Sequence, residues 1–386
     1  MNRTLSFLFA SWLATTVVAQ GDVSFRIGTW NLEFLGAEGN YRNNLPPRTD
    51  ADYAAIGKKI VDLGVAVMAV QEINDEATLR KVAAGAGSTW QVLLGTSGGW
   101  DDGKTAQSIG FLYDRTTVDL LSAEELLVLP RTFEGQPIFH RVPVTACFRH
   151  RASGCDFRAV TVHLKAGQKA QDEQKRRGES LALAKWLDEL RSNPAEDSDV
   201  VVLGDFNSTY GTDPERNFEA TQQRRYLEHK VSTPTIMHFP EPIDQVVVST
   251  LFLELRADSL LVDNDCDGMA REVWRQCYSD HFPVTVTIAA HSDDDASSTF
   301  CRGAPEQALP RLREVAPPTP PAPIVIRSDN WPPKIGQMIR VLATNKLHEG
   351  RLLRDVPQGP GGWVVLDVNG QTVAVPWSQV YSLVVQ

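Results

Sequence analysis

The run Val200-Val201-Val202-Leu203-Gly204-Asp205-Phe206-Asn207 holds four apolar residues, three of them β-branched, and then breaks into a glycine, an acid and an amide. Such a run reads as a buried strand, and Asp205 and Asn207 stand where it leaves the sheet. The pattern recurs along the chain. Phe25 to Trp30 (FRIGTW) leads into Asn31-Leu32-Glu33-Phe34, and Val65 to Val70 (VAVMAV) leads into Gln71-Glu72. Ala159 to Leu164 (AVTVHL) carries His163, Ile243-Asp244-Gln245 opens the run Val246 to Val248, and Ser279-Asp280-His281 precedes Phe282 to Val286. Strand ends that each deliver an acid, an amide or an imidazole assemble a metal-assisted hydrolytic site from distant sequence. Any one of these words alone reads as a loop cap or a solvated polar group; as an ordered set they read as chemistry. Gln71 is the exception, equally well read as a hydrogen-bonding neighbour of Glu72.

Helical patterns lie between the runs. Asp50 to Leu63 places Tyr53, Ile56, Ile60 and Leu63 at steps of three and four, with Asp50 or Asp52 as cap and Gly64 as stop. Glu76 to Ala84 is a shorter candidate, and Gln171 to Arg191 is the longest, ended by Asn193-Pro194. Strands alternating with helices give an α/β or α+β layered class.

The ordered words resemble the endonuclease/exonuclease/phosphatase superfamily over roughly residues 23 to 290. That resemblance implies a four-layer sandwich, two packed mixed β-sheets flanked by helices, and divalent-metal hydrolysis of phosphodiesters or phosphomonoesters. It implies Glu72 as the main metal ligand, with Asn31, Glu33 and Asp280 close to the same ion; oxygen donors suit magnesium or manganese. It implies that His281, paired with Asp244, takes a proton from the attacking water, and that Asp205 and Asn207 hold the water and a phosphate oxygen. Some members use the residue matching Asp205 as the base instead. His163 would lie against the scissile phosphate, and Arg141 matches a phosphate-contacting arginine. Secreted deoxyribonucleases and sphingomyelinases carry histidine at the position of His163, whereas abasic-site enzymes carry asparagine. Gln107 stands where the deoxyribonuclease pattern has a glutamate, which leaves His163 without a carboxylate partner from that strand.

At 386 residues the chain exceeds one ordinary domain. Residues 1–19 combine Arg3, an apolar stretch from Leu5 to Val18 and small residues at the cleavage positions, which is the pattern of a signal peptide. The mature chain then starts near Gln20, is secreted to an extracellular or periplasmic space, and has no later apolar run long enough for stable membrane insertion. Losing Arg3 moves the formal charge from −10 to about −11. Lys165, Lys169, Lys175, Arg176, Arg177 and Lys185, together with Arg224, Arg225 and Lys230, form two basic clusters beside the site words, serving either phosphate contacts or a solvated face. Of five cysteines, Cys147 and Cys155 are placed to face each other across a hairpin, Cys266 and Cys277 to close a loop before Asp280-His281, and Cys301 is left over. Asp263-Asn264-Asp265-Cys266-Asp267-Gly268 opens like a calcium loop but has Trp274 at its twelfth position, so structural calcium is the lesser reading. Ser97 to Gly103 reads as a rim loop with Trp100 available to stack on a base or touch lipid, or as an ordinary surface turn, the stronger of the two readings.

Residues 21–290 therefore form the catalytic domain, 291–324 an acidic and then proline-rich linker, and 325–386 a small SH3-like β-barrel. That module carries an Asn369-Gly370 hairpin signal and is expected to bind an unknown partner or surface. The reading is a secreted metal-dependent phosphodiesterase, first a nuclease on DNA, with RNA as the next substrate. A sphingomyelinase-like or other phosphoesterase is the alternative, and a non-catalytic binding protein, whose mark would be broken motifs, is the third reading.

Overall fold

The computed structural model describes residues 24–36, 42, 45–98, 106–193, 196–227, 233–289, 334–335, 338–343, 346–353, 363–369, 371–376 and 380–385. The expected signal peptide, Trp100, Lys230, Cys301, Gly370 and the linker at 291–324 lie outside the described residues.

In chain order the first elements are β1 (Phe25–Leu35), α1 (Asp50–Asp62), β2 (Val65–Ile73), α2 (Glu76–Ala86), β3 (Trp90–Leu94), β4 (Ser108–Asp114) and β5 (Val118–Glu125). A small hairpin of β6 (Thr132–Phe133) and β7 (Gln136–Pro137) precedes β8 (Val144–His150), β9 (Asp156–His163), α3 (Ala170–Arg191), β10 (Val200–Asp205) and α4 (Asp213–Glu219). Then come β11 (Arg224–Tyr226), β12 (Asp244–Ser249), β13 (Leu255–Val262), α5 (Arg271–Cys277) and β14 (Val284–Ile288). The C-terminal strands are β15 (Met338–Ala343), β16 (Lys346–Leu352), β17 (Trp363–Val368), β18 (Gln371–Pro376) and β19 (Val380–Val385). The three expected helices are present; α4 and α5 are short and carry too few apolar repeats to be read from sequence. At α1 the cap is Thr49 rather than Asp50 or Asp52: its hydroxyl accepts from the Asp52 amide, and the Asp52 carboxylate accepts from the Thr49 amide at 2.7 Å.

Two six-stranded mixed sheets follow one plan, β13-β14-β1-β2-β4-β3 and β11-β12-β10-β9-β8-β5. Each has a single parallel pair at its centre, β1 with β2 and β9 with β10, and antiparallel neighbours on both sides. Side chains alternate between faces along a strand, so the inner face of β9 reads Ala159, Thr161, His163, that of β10 reads Val201, Leu203, Asp205, and that of β12 reads Val248, Val246, Asp244. The apolar members of these rows join Ile27, Val67, Phe111, Phe148 and Phe157 in the core between the sheets. Where the apolar rows end, the same face turns polar. The outer face of the first sheet packs Trp30, Met68 and Val70 against Ile56, Ile60, Leu79 and Trp274; the second sheet packs Val160, Val162 and Val202 against Leu183, Leu187 and Phe218. Fully burying each such side chain contributes about 1.5–3 kcal/mol.

Gln71 ties the layers together. Its amide nitrogen donates to Thr29 Oγ1 and, across the interface, to Thr161 Oγ1, each at 3.0 Å. It is a bridge between sheets rather than a backbone partner of Glu72.

Cys147 is disulfide-bonded, but Cys155 is not its partner: the register sets Cys147 opposite Arg158. Cys155, Cys266 and Cys277 carry thiols, so neither expected pairing forms. The C-terminal strands form an antiparallel sheet in the order β18-β17-β16-β15-β19, with β19 against α1. Among the described residues no pairing joins β18 to β19.

Candidate active site

The carboxyl ends of the two central parallel pairs lie at one edge of the sandwich, the position where sheets of this kind take their ligands. Asn31 is in register with Gln71, His163 with Asp205, and Asp205 with Asp244, so three of these side chains sit abreast on the second sheet. Gly204 makes the spacing possible: with φ at +153°, a Cβ there would sit 2.0 Å from the Val162 carbonyl oxygen. Glu72 and Asn207 both have positive φ, 59° and 49°, conformations that cost on the order of 1–2 kcal/mol for residues other than glycine and that mark sites held by their surroundings.

Asp205 is the centre. Its Oδ1 accepts from the Asn207 amide at 2.8 Å, and its Oδ2 accepts from Asn31 Nδ2 at 3.0 Å. His163 Nε2 lies 3.4 Å and His281 Nε2 3.9 Å from the same Oδ2. His281 Nδ1 bonds Asp244 Oδ2 at 2.8 Å. On the other side Asn31 Nδ2 also reaches Glu72 Oε1 at 3.2 Å, while Glu72 Oε2 accepts from the Phe34 amide at 3.1 Å. Asn31, Glu72, His163, Asp205, Asp244 and His281 are thus one connected group spanning both sheets, with Asn207 and Asp280 at its edge.

Electrostatics divide the group. Burial, then the neighbouring Asp244, pushes the Asp205 carboxyl up to about 7. Burial alone would lower His281, but the charge and hydrogen bond of Asp244, joined by Asp205 and Asp280, raise it well above the ordinary imidazole value. His163 goes the other way. Burial, followed by the cations at Arg141, His281 and Lys165, lowers it well below that value, so its ring is neutral, and its Nδ1 has no hydrogen-bond partner. The partnerless Nδ1 agrees with Gln107 standing in the place of a glutamate. Burial, then Asp280, raises Glu72, as expected of two acids that share a pocket.

Two site residues of the sequence reading have other occupations. Glu33 has both carboxylate oxygens taken by arginines: Oε1 by Arg275 Nε at 2.8 Å, Oε2 by Arg42 Nη2 at 3.2 Å. It anchors arginines instead of facing Glu72. Arg141 is buried and spends its guanidinium on the His163 carbonyl (3.1 Å), the Leu164 carbonyl (3.1 Å) and Gln107 Oε1. It positions the backbone that presents His163 and Asn207, whose Nδ2 donates to the same Leu164 carbonyl at 3.1 Å.

Sequence reasoning gave no role to the residues that hold the His281 loop. Ser279 Oγ donates to the Asn31 carbonyl at 2.7 Å and accepts from the His281 amide at 3.0 Å; Trp30 Nε1 donates to the His281 carbonyl at 3.0 Å. Arg42 donates to the carbonyls of Arg275 and Gln276, and Arg48 to those of Glu33 and Tyr278. Two arginines, in place of the expected Cys266 to Cys277 bond, fix the end of α5. Ser279 was visible within its motif, whereas Arg42 and Arg48 lie more than two hundred positions from their acceptors Gln276 and Tyr278 and carried no signal.

The basic clusters are largely paired within the chain, Lys165 with Asp172 at 3.1 Å, Arg177 with Glu134 at 2.7 Å and Arg224 with Asp188 at 2.6 Å. In the acidic loop Lys59 Nζ lies 2.5 Å from Asp263 and 2.6 Å from Asp267, so a lysine ammonium stands among the carboxylates expected to hold calcium. The donor chemistry at Glu72, Asn31 and Asp280 does fit a hard divalent ion: all offer oxygen, and the charge of Asp280, after burial, pushes Glu72 up.

A match to the Endonuclease/Exonuclease/phosphatase family spans residues 28–281, and the chain belongs to that family. No curated protein sequence matches it. Among solved structures it is similar to the human Nocturnin catalytic domain with bound sulfate anion, at 16% identity and TM-score 0.51, covering 68% of this chain and 92% of that one. It is also similar to the endonuclease/exonuclease/phosphatase from Bacteroides vulgatus, at 18% identity and TM-score 0.51, covering 69% of this chain and 98% of that one.

Proposed function

We propose that this phosphoesterase-family chain is an exported phosphodiesterase, a nuclease that hydrolyses DNA by in-line attack of water. The observation that carries the reading is the connected set in which His281, bonded to Asp244 at 2.8 Å, turns its other nitrogen toward Asp205. A water reaching both His281 Nε2 and Asp205 Oδ2 gives its proton into that pair as its oxygen attacks phosphorus. Asp244 keeps the imidazole oriented and favours its charged form, which then faces the developing negative charge. His163 is neutral, and with carboxylate oxygens as the neighbours of its Nε2 that nitrogen carries the proton, ready to be donated to a phosphate oxygen. Asn207 offers its amide to the same phosphate. Glu72, with Asn31 and Asp280 beside it, would hold a divalent cation, magnesium or manganese, which would supply charge neutralisation to the phosphoryl group. The leader at residues 1–19 supports export, and the strand order of the C-terminal sheet supports an SH3-like docking module.

A second reading, hydrolysis of a phosphodiester lipid, draws on Leu127 and Val128, which are 41% and 77% exposed just beyond β5 at the site end of the sandwich. Two side chains make a small membrane contact, so nucleic acid ranks first. The test is a panel of plasmid DNA, RNA, sphingomyelin and phosphoinositides with magnesium, manganese or chelator. Metal-dependent nicking of plasmid is expected; intact plasmid beside rapid phosphocholine release transfers the assignment to lipid.

A further inference from the structure

A cavity of about 950 Å³ opens beside Asn207 and reaches Ile243, the residue before Asp244. We infer that this cavity is the subsite for a nucleoside, the uncharged part of the substrate next to the scissile phosphate, with its base against Phe239. The inference rests on the phosphodiesterase reading above and adds to it which chemistry sets specificity.

The volume falls at the upper end of pockets that enclose a small organic ligand, larger than one phosphate needs. Its charges cancel. Arg176 and Arg216 line it together with Glu173 and Asp213, and both guanidinium groups are occupied within the chain: Arg176 Nη1 donates to the Lys165 and Gly167 carbonyls at 2.7 and 2.6 Å, Arg216 Nη1 to Asp213 at 3.1 Å. A lining with no net charge and committed arginines selects against a polyphosphate. The remaining wall offers the hydroxyls of Ser208, Thr209 and Thr212 and the ring of Phe239, the combination that meets a sugar and a base: short polar groups for hydroxyls and ring nitrogens, an aromatic face for stacking.

The loop that carries Phe239 is tied to the reacting groups. Thr235 Oγ1 accepts from the amides of Ile243 and Asp244, each at 3.0 Å, the Met237 amide donates to the Asp280 carbonyl at 2.8 Å, and the Phe282 amide to the Thr235 carbonyl at 2.8 Å. A base resting on Phe239 is therefore in register with the His281 and Asp244 pair, so that binding there places the phosphate.

The experiment compares full-length wild type with Phe239→Ala and with Thr212→Trp, which fills the cavity, on a dinucleoside monophosphate and on methyl p-nitrophenyl phosphate, whose small groups leave the cavity empty. Expected is a fall of kcat/KM on the dinucleotide that exceeds the fall on the small diester by about tenfold, read mainly in KM. Equal falls on both substrates, or no fall on either, overturn the subsite while the wild-type rates keep the phosphodiesterase reading. Wild type inert on both diesters with magnesium and manganese overturns that reading and the subsite with it. Paired melting curves separate a misfolded variant from a folded one, and in a case where Phe239→Ala fails to fold, Thr212→Trp decides.

Discussion

His281 and Arg141 are the two side chains whose substitution separates chemistry from positioning. His281→Gln keeps a hydrogen-bonding group for Asp244 but removes the ring that faces Asp205, so turnover should fall by about 10²–10⁴ with an unchanged melting temperature; near-wild-type turnover would refute the role given to the ring. Arg141 is bonded to two carbonyls and Gln107. Arg141→Lys, which loses the planar fork, should lower kcat by about tenfold and leave KM and its salt dependence almost unchanged. A KM that rises and steepens with salt would restore the phosphate contact expected from sequence. The polar endings of the runs are legible without coordinates because apolar rows stop at His163, Asp205 and Asp244 on one face. Glu33 and Arg141 were legible as charged residues in the right words, but the partners that redirect them, Arg42, Arg275 and Gln107, are set by packing and leave no local pattern.

At the scale of elements, α5 and the loop after it hang on arginines. Arg48 is buried, with its guanidinium pushed down to about 9 by burial and by Arg42, yet it closes the carbonyls of Glu33 and Tyr278. Arg48→Met should destabilise the fold by about 2–4 kcal/mol, measured by urea unfolding, because it strips charged hydrogen bonds from buried carbonyls; a change below about 0.5 kcal/mol would mean that water replaces them. Gly204→Ala introduces a Cβ 2.0 Å from a neighbouring strand's carbonyl oxygen and should cost about 3 kcal/mol. Strands and the three long helices follow from periodicity, since burial on one face is a repeating demand. Caps and staples do not repeat, which is why Thr49 was passed over and why cysteine spacing suggested two bonds that do not form, one of them set aside by the strand register.

For the molecule as a whole, acid and metal are the informative variables. His150 stacks on Phe25 at 4.3 Å and bonds Ser153 at 2.8 Å, and burial lowers its pKa. The unfolded imidazole titrates near 6.5, so stability should be complete above about pH 6.5 and fall as pH drops from there through the lower folded value. His163 acts in the same direction and His281 in the opposite one. In His150→Phe the loss of stability between about pH 7 and 5 should be shallower than in wild type; identical slopes would remove His150 from the account. Magnesium or manganese should raise the melting temperature, and Glu72→Gln should abolish that rise independently of any activity assay.

The plan in which each sheet supplies half of the reacting groups has a consequence for biosynthesis. Glu72 and Asn31 are translated early, but the histidine they await is at 281, and the strand that seats it, Val284–Ile288, closes against Phe25–Thr29 at the very front of the chain. The reacting group is therefore incomplete until both extremities of the family-matched segment meet, which makes closure of the first sheet the last step in building the site.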